Sequence, residues 1–249
     1  MGAQLTAPFE LVAGGAGAGV VLTCEHASQH MPATHALAGE DARLVGTHWA
    51  YDLGARELTL ACAEALGAPA VLSSFSRLLV DPNREEDHPD LFRKTAEGHP
   101  VRLNAALTPA DQALRLAQYY RPFHAAVRQC TAAARPVLLF SIHSFTPLYE
   151  GVPRNVQLGV LYNREEALAQ AFSAQLARLG FPSNANEPWS GKAGLIFSAE
   201  SHAYGAGARP LELEVRQDLA CDPAYRARLV PALASALRAC VADLRGGAY

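Results

Sequence analysis

With 249 residues, half of them apolar, the chain is long enough for one large α/β domain or two small ones and can bury a sizeable core. Its formal charge of −3 carries no polyanion footprint, which argues against nucleic acid as a partner. No apolar stretch is long enough to span a bilayer, and the opening Met1–Pro8 lacks the basic flank and apolar centre of a secretory leader. Five cysteines, odd in number and without a CxxC pair, fit a reducing cytoplasm in which most thiols act as small buried hydrophobes.

Taken in chain order, the Gly/Ala patch from Gly14 to Gly19 reads as a loop entering a strand, since it precedes the apolar run instead of following it as a phosphate cradle would. Val20 to Cys24 is a β-branched run that ends abruptly in Glu25, His26, Ala27 and Ser28, the pattern of a buried parallel strand opening into a polar loop. Asp41 to Leu66 carries apolar residues at helical spacing. Ala70 to Phe75 and Leu78 to Val80 read as short strands, and the polar, Pro-punctuated stretch from Glu85 to Val101 as a surface loop. Thr108-Pro109-Ala110-Asp111 is a helix start with Pro at the first helical position, and the helix runs to about Ala134. Val137 to Ile142 is a second central strand that also delivers a histidine, His143, followed by Ser144. Val156 to Tyr162 is a strand, Glu165 to Leu179 a helix stopped by Gly180, Pro210 to Val215 an alternating strand, and Pro223 to Leu244 an amphipathic helix. Strands alternating with helices predict an α/β protein, a three-layer α/β/α sandwich with a mixed, mostly parallel central sheet. No repeat and no linker divides it.

Two buried strands that each end in a histidine look like two arms of one site, because ligands of open α/β sheets bind at the carboxyl ends of the strands. Neutral imidazole is the commonest zinc ligand, and a catalytic zinc takes three protein ligands with one position left open. His26 and His143 would supply two. His48 and Asp52, four apart and sharing a face if helical, and Glu25 are candidates for the third. Asp81-Pro82-Asn83-Arg84 reads either as ordinary turn chemistry or as a clamp in which Arg84 and Asn83 grip a substrate carboxylate. On Leu211 to Asp218 the alternation sets Glu212 and Glu214 against the leucines. If that face borders the pocket, one of them is a general base, and otherwise it is a solvated edge. His124 falls in a predicted helix as packing, His202 in a Gly/Ala-rich loop within reach of substrate, and Cys24 at a strand end as a buried thiol.

Cys24-Glu25-His26-Ala27-Ser28 through Pro32, His48 to Gly54, Asp81 to Arg84, His143 to Pro147 and Glu212 to Asp218, in this order, together resemble the N-formylglutamate amidohydrolase family over roughly residues 15 to 225. The resemblance implies one amidohydrolase domain over residues 1–249 with a phosphorylase/hydrolase-like, zinc-exopeptidase-like fold related to carboxypeptidases and aspartoacylases. It implies hydrolysis of N-formyl-L-glutamate to formate and glutamate, late in histidine degradation. By the same resemblance His26 and His143 fall in the metal-binding loops for zinc or another divalent transition metal, with Asp52 as the expected third ligand. Glu214 falls at the catalytic glutamate, and Asn83 and Arg84 at the carboxylate-binding pair, with Ser144 and His202 as further substrate contacts. Two departures stand out. The exopeptidase metal motif His-x-x-Glu reads His26-Ala27-Ser28-Gln29 here, and the deformylase pattern Pro-His-Ser-Gly reads Glu25-His26-Ala27-Ser28. The implied partner is a small acidic N-acyl amino acid. The rival readings are an amidase of another substrate such as peptidoglycan, a thiol hydrolase using Cys24 with His26, and a non-catalytic binder of acidic ligands.

Overall fold

The structure, a computed structural model, describes residues 7–248; Met1–Thr6, where the leader question falls, and Tyr249 lie outside the described residues. The elements in chain order are β1 (Phe9–Val12), β2 (Val20–Cys24), α1 (Ala55–Leu66), β3 (Ala70–Ser73), the hairpin β4 (Thr95–Ala96) and β5 (His99–Pro100), α2 (Arg102–Ala105), α3 (Pro109–Arg115) and α4 (Arg121–Ala134). They continue with β6 (Leu138–Phe145), the hairpin β7 (Leu148–Tyr149) and β8 (Val152–Pro153), β9 (Leu158–Leu161), α5 (Glu166–Arg178), β10 (Asn184–Ala185), α6 (Phe197–Gly205), β11 (Arg209–Arg216), α7 (Gln217–Cys221) and α8 (Pro223–Arg245).

The central sheet has the order β1-β3-β2-β6-β11-β9-β10. Its middle strands β3, β2, β6 and β11 run parallel, while β1 and β9 pair antiparallel at either flank. This is the expected mixed, mostly parallel sheet. After β2 the chain builds outward to β3, then returns to place β6 on the other side of β2. That reversal opens a crevice at the carboxyl ends of β2 and β6, the switch point where ligands of open α/β sheets bind.

Alternation along the strands decides what each face buries. Leu138, Phe140 and Ile142 of β6 and Leu211, Leu213 and Val215 of β11 turn toward α1, α5 and α8, where they join Leu58, Cys62, Phe172, Leu233 and Leu237 in the largest apolar cluster. The other face is apolar only near the amino ends of the strands, where Val71 and Leu139 meet Phe123 and Val127 of α4 and Ala199 and Ala203 of α6. Toward the carboxyl ends the same face carries Ser141 and His143 on β6, in register with Glu212 and Glu214 on β11. β11 lies inside the sheet between β6 and β9, so its acids are buried and the solvated-edge reading of that face fails.

Three local expectations are corrected. The helix read from Asp41 begins only at Ala55. A 3-10 turn over Gly39–Leu44 precedes it, and Gly46 and Gly54 take φ of 75° and 79°, which breaks a helix. At Gly54 a Cβ would also lie 2.5 Å from the Ala220 carbonyl, so a side chain there would collide with backbone. Leu78-Leu79-Val80 is a buried turn and not a strand, its residues shared between two apolar clusters. The Glu85–Val101 loop holds the β4–β5 hairpin and buries Leu91, Phe92, Ala96 and Val101. The start at Thr108 carries a full capping box with Asp111, and the helical path to Ala134 widens into a π turn at Leu116–Tyr120, just ahead of Pro122. A proline ring clashes with the carbonyl four residues back, and the wider turn relieves it.

Candidate metal centre and active site

β2 ends at Cys24, and the loop that follows delivers His26; β6 delivers His143 from within the sheet; the Gly46–Gly54 loop delivers Asp52, whose backbone N–H donates to the His26 carbonyl at 3.0 Å. Nδ1 of His26 lies 3.1 Å from Nδ1 of His143, and Oδ2 of Asp52 lies 2.8 Å from His143 Nδ1 and 3.4 Å from His26 Nδ1. All three side chains are buried. Two ring nitrogens and a carboxylate oxygen thus converge on one point across more than a hundred positions of sequence.

The outer nitrogens explain which way the rings face. His26 Nε2 is 2.7 Å from Oδ1 of Asp81, and His143 Nε2 is 3.0 Å from Oε2 of Glu25. A carboxylate only accepts, so each Nε2 carries its proton and donates it, which turns the two Nδ1 atoms toward each other and toward Asp52. Two ring nitrogens 3.1 Å apart beside a carboxylate oxygen need a cation among them, a proton on His143 or a metal ion. Ligand bonds of about 2.0–2.1 Å put the corners of a tetrahedral metal site ~3.3 Å apart, and the three observed separations bracket that edge. Carboxylates behind both imidazoles are the usual support for metal-binding histidines. The donor set therefore fits a metal ion.

The supporting acids are themselves anchored. Arg77 grips Asp81 Oδ2 through Nη2 at 2.7 Å and Nε at 3.1 Å and lies 3.5 Å from Asp52 Oδ1. Burial opposes ionisation of Asp81, yet the Arg77 guanidinium and His26 hold it well below the usual carboxylate range. Glu25, against the same desolvation, is held at about 2 by His143 and by the Ser141 hydroxyl, which donates to it at 2.5 Å.

Glu212 and Glu214 behave differently. Glu212 Oε2 lies 3.5 Å from both Asn83 Nδ2 and His143 Nε2, and burial pushes its carboxyl up to about 7. Glu214 lines the cavity with Oε2 buried and without a hydrogen-bond partner. Burial, with Asp52 and Glu212 adding negative charge, pushes its carboxyl well above the ordinary range. An unpartnered buried carboxyl beside a metal-compatible centre is placed to hold and pass a proton.

The cavity in front of these groups measures about 180 Å³ and is walled by Arg77, Arg84, Arg93 and Arg154 and by Trp49, Tyr149 and Trp189. Among the expected site residues, His26, Asp52, His143, Ser144, Asn83, Arg84 and Glu214 all reach it. His48 reaches it too, but at the wall, stacked on Trp49 at 4.8 Å, so it shares the cavity with Asp52 without sharing a helix. Glu25 stands behind His143, not beside the Nδ1 atoms. Gln29 braces the Gly46 amide at 2.7 Å, away from the centre.

Three expected substrate contacts have partners within the protein. Both Asn83 amide hydrogens are engaged, with the Leu195 carbonyl at 3.0 Å and Glu212, and its oxygen accepts from Ser198 N–H, so Asn83 holds protein together and has no donor left for a carboxylate. The Ser144 hydroxyl donates to the Leu53 carbonyl at 2.7 Å, while its N–H donates to Asp52 at 3.3 Å. His202 sits on α6, bonded to His124 of α4 at 2.8 Å, and does not line the cavity. Cys24 packs into the apolar cluster on the opposite face, where burial pushes its thiol up, which removes it as a nucleophile for His26. Sequence reasoning assigns no role to Asp81, Arg77, Arg154 or the aromatic wall. Only Asp81 carries a signal, in its place between an apolar run and Asn83-Arg84.

Fold and site together define a class, a three-layer α/β enzyme with a metal-compatible centre at the switch point of its sheet. The chain belongs to the N-formylglutamate amidohydrolase family, a family of C–N amide hydrolases, whose model matches residues 18–221. Among solved structures, gene product Atu2144 from Agrobacterium tumefaciens superposes with a TM-score of 0.88 at 28% identity, covering 96% of this chain and 97% of its own. An N-formylglutamate amidohydrolase from Ralstonia eutropha JMP134 shares the fold with a TM-score of 0.74 at 20% identity, covering 97% of this chain and 100% of its own. A search of curated proteins returns no match.

Proposed function

We infer that the protein hydrolyses the amide of a small acidic N-acyl amino acid, N-formyl-L-glutamate in the first instance, with His26, His143 and Asp52 holding a zinc ion. The observation that carries this reading is the pair of facing Nδ1 atoms, each ring backed by a buried carboxylate, within a chain of this family. A zinc ion held there supplies Lewis-acid polarisation of the scissile carbonyl and activation of water.

The remaining work falls to side chains. Glu214 Oε2 takes the proton from the attacking water and delivers it to the departing nitrogen, which leaves as the free amine of glutamate while the acyl carbon leaves as formate. Asp81 and Glu25 keep both imidazoles in the Nε2–H form. Arg84, with no acid within 4 Å among the described residues, holds a substrate carboxylate, and Asn83 fixes Glu212 behind His143. The cavity is small against the ~300–1,000 Å³ of pockets for drug-sized ligands, which suits an amino-acid derivative over a peptidoglycan strand. The five cysteines are all free, which supports a reducing, cytoplasmic setting, and the substrate would place the protein in histidine degradation as one amidohydrolase domain.

The test is a formate-release assay on the purified protein with metal analysis before and after chelation. Activity that follows zinc content is expected. A fully zinc-loaded protein that releases no formate from N-formyl-L-glutamate overturns the substrate, and activity indifferent to chelation overturns the metal.

A further inference from the structure

Four arginines line the cavity, and two of them are already neutralised: Arg77 by Asp81 and Asp52, and Arg93 by Asp90 at 3.2 Å. Arg84 and Arg154 have no acid within 4 Å among the described residues. Arg84 Nη1 reaches only the Asn83 carbonyl, and its Nε is buried without a partner.

Arg154 follows the β7–β8 hairpin, and its backbone is pinned at both ends. Its N–H donates to the Pro147 carbonyl at 2.8 Å, and its carbonyl accepts from Arg216 Nη1 at 3.2 Å. Its guanidinium carbon lies 4.5 Å from the Tyr149 ring centre and 4.3 Å from that of Trp189. Aromatic packing fixes the guanidinium plane while its donors point outward in that plane. One of them, Nη1, is buried with no partner. A buried charged donor left unmade is costly, so this geometry needs an acceptor that the chain itself does not supply.

The geometry points to Arg154 as a second carboxylate anchor, so that the cavity takes a ligand with two carboxylates, one on Arg84 and one on Arg154. This rests on the reading of the cavity as the substrate site. Both guanidiniums line one cavity of about 180 Å³, which confines them to a single small ligand. The ligand class is thus an N-acylated amino acid with an acidic side chain, with Arg154 reading that side chain and the hairpin and Trp189 holding it rigid.

The experiment measures two preferences in wild type, Arg154→Gln and Arg154→Lys: kcat/KM for N-formyl-L-glutamate over its neutral isostere N-formyl-L-glutamine, and calorimetric affinity for glutarate over butyrate. The wild type prefers the doubly charged member of each pair. Charge-assisted bidentate bonds are strong and directional, so Arg154→Gln lowers both preferences by about 10- to 100-fold, through KM more than kcat. Arg154→Lys, which keeps the charge and loses the fork, falls between. Preferences unchanged in both variants, or a wild type that binds glutarate no better than butyrate, overturn the anchor. A glutarate preference that collapses in the variants of a protein that hydrolyses neither amide supports the anchor while overturning the catalytic reading.

Discussion

Two pairs of histidines are buried side by side in this molecule, and their surroundings differ. His26 and His143 present Nδ1 to Nδ1 at 3.1 Å, with Asp52 between them and Asp81 and Glu25 behind. His124 and His202, joining α4 to α6, meet Nδ1 to Nε2 at 2.8 Å as an ordinary donor and acceptor, make no ion pair among the described residues, and leave His124 Nε2 buried without a partner. Although burial opposes it, Glu212, Asp52 and Glu25 hold His143 well above its ordinary value, so His143 stands where positive charge is favoured. Burial pushes His124 down to about 3 and His202 to about 4, with Arg128 adding positive charge, so the second pair stands where a cation is rejected. Burial of imidazoles alone does not make a centre compatible with a metal ion; the carboxylates around them do.

The largest effect that would break this comparison is loss of a converging atom. His143→Ala or Asp52→Asn is expected to lower zinc content and turnover by more than ~100-fold, beyond what losing a carboxylate behind a ligand costs. Glu214→Gln is expected to cut kcat by about 10²–10⁴-fold while the bound zinc per protein stays at the wild-type level, which separates proton transfer from metal holding. Asp81→Asn and Glu25→Gln sharpen the comparison. Removing either supporting charge is expected to weaken zinc affinity by about 10- to 100-fold in a competition titration.

His202→Asn serves as the opposite control. It should leave zinc content at the wild-type level and cost roughly 1–3 kcal/mol of stability by urea unfolding, because it strips a buried hydrogen bond. The same pair governs acid stability. An unfolded chain protonates histidine near ~6.5, whereas the folded pair resists protonation down to about 4 and about 3. Between those values the unfolded state binds more protons, so stability rises with pH there. The contribution of the neutral pair is complete above about pH 6.5 and is lost as pH falls toward the folded values. Urea midpoints measured from pH 7.5 down to 4.5 should show this decline, and His202→Asn should flatten it.

Much of the architecture is legible because it rests on local periodicity. The runs at Val20–Cys24 and Val137–Ile142 announce buried parallel strands, and the period of two in Pro210–Val215 separates an apolar face from two glutamates. The segment from Asp41 to Gly54 defeats the same method. Its apolar residues recur at helical spacing, yet Leu44 and Ala50 pack against Leu78 and Val101 in a small cluster under irregular backbone, and the left-handed glycines at 46 and 54 exclude a helix. Asn83 and His202 mislead for a different reason. A side chain's free valence depends on partners far away in the chain, here Leu195, Ser198 and His124.

By itself, the sequence determined the strands that end in His26 and His143, the shared face of Glu212 and Glu214, and the family, because hydrophobic period and motif order are properties of neighbouring residues. Which nitrogen of each ring faces the centre, that Asp81 and Glu25 stand behind while Asp52 stands between, and that Arg84 and Arg154 have no acid within 4 Å among the described residues were decided only in three dimensions. These are matters of a few ångströms between segments as much as 118 positions apart, and it is the sheet order, with β6 returning beside β2, that brings them together.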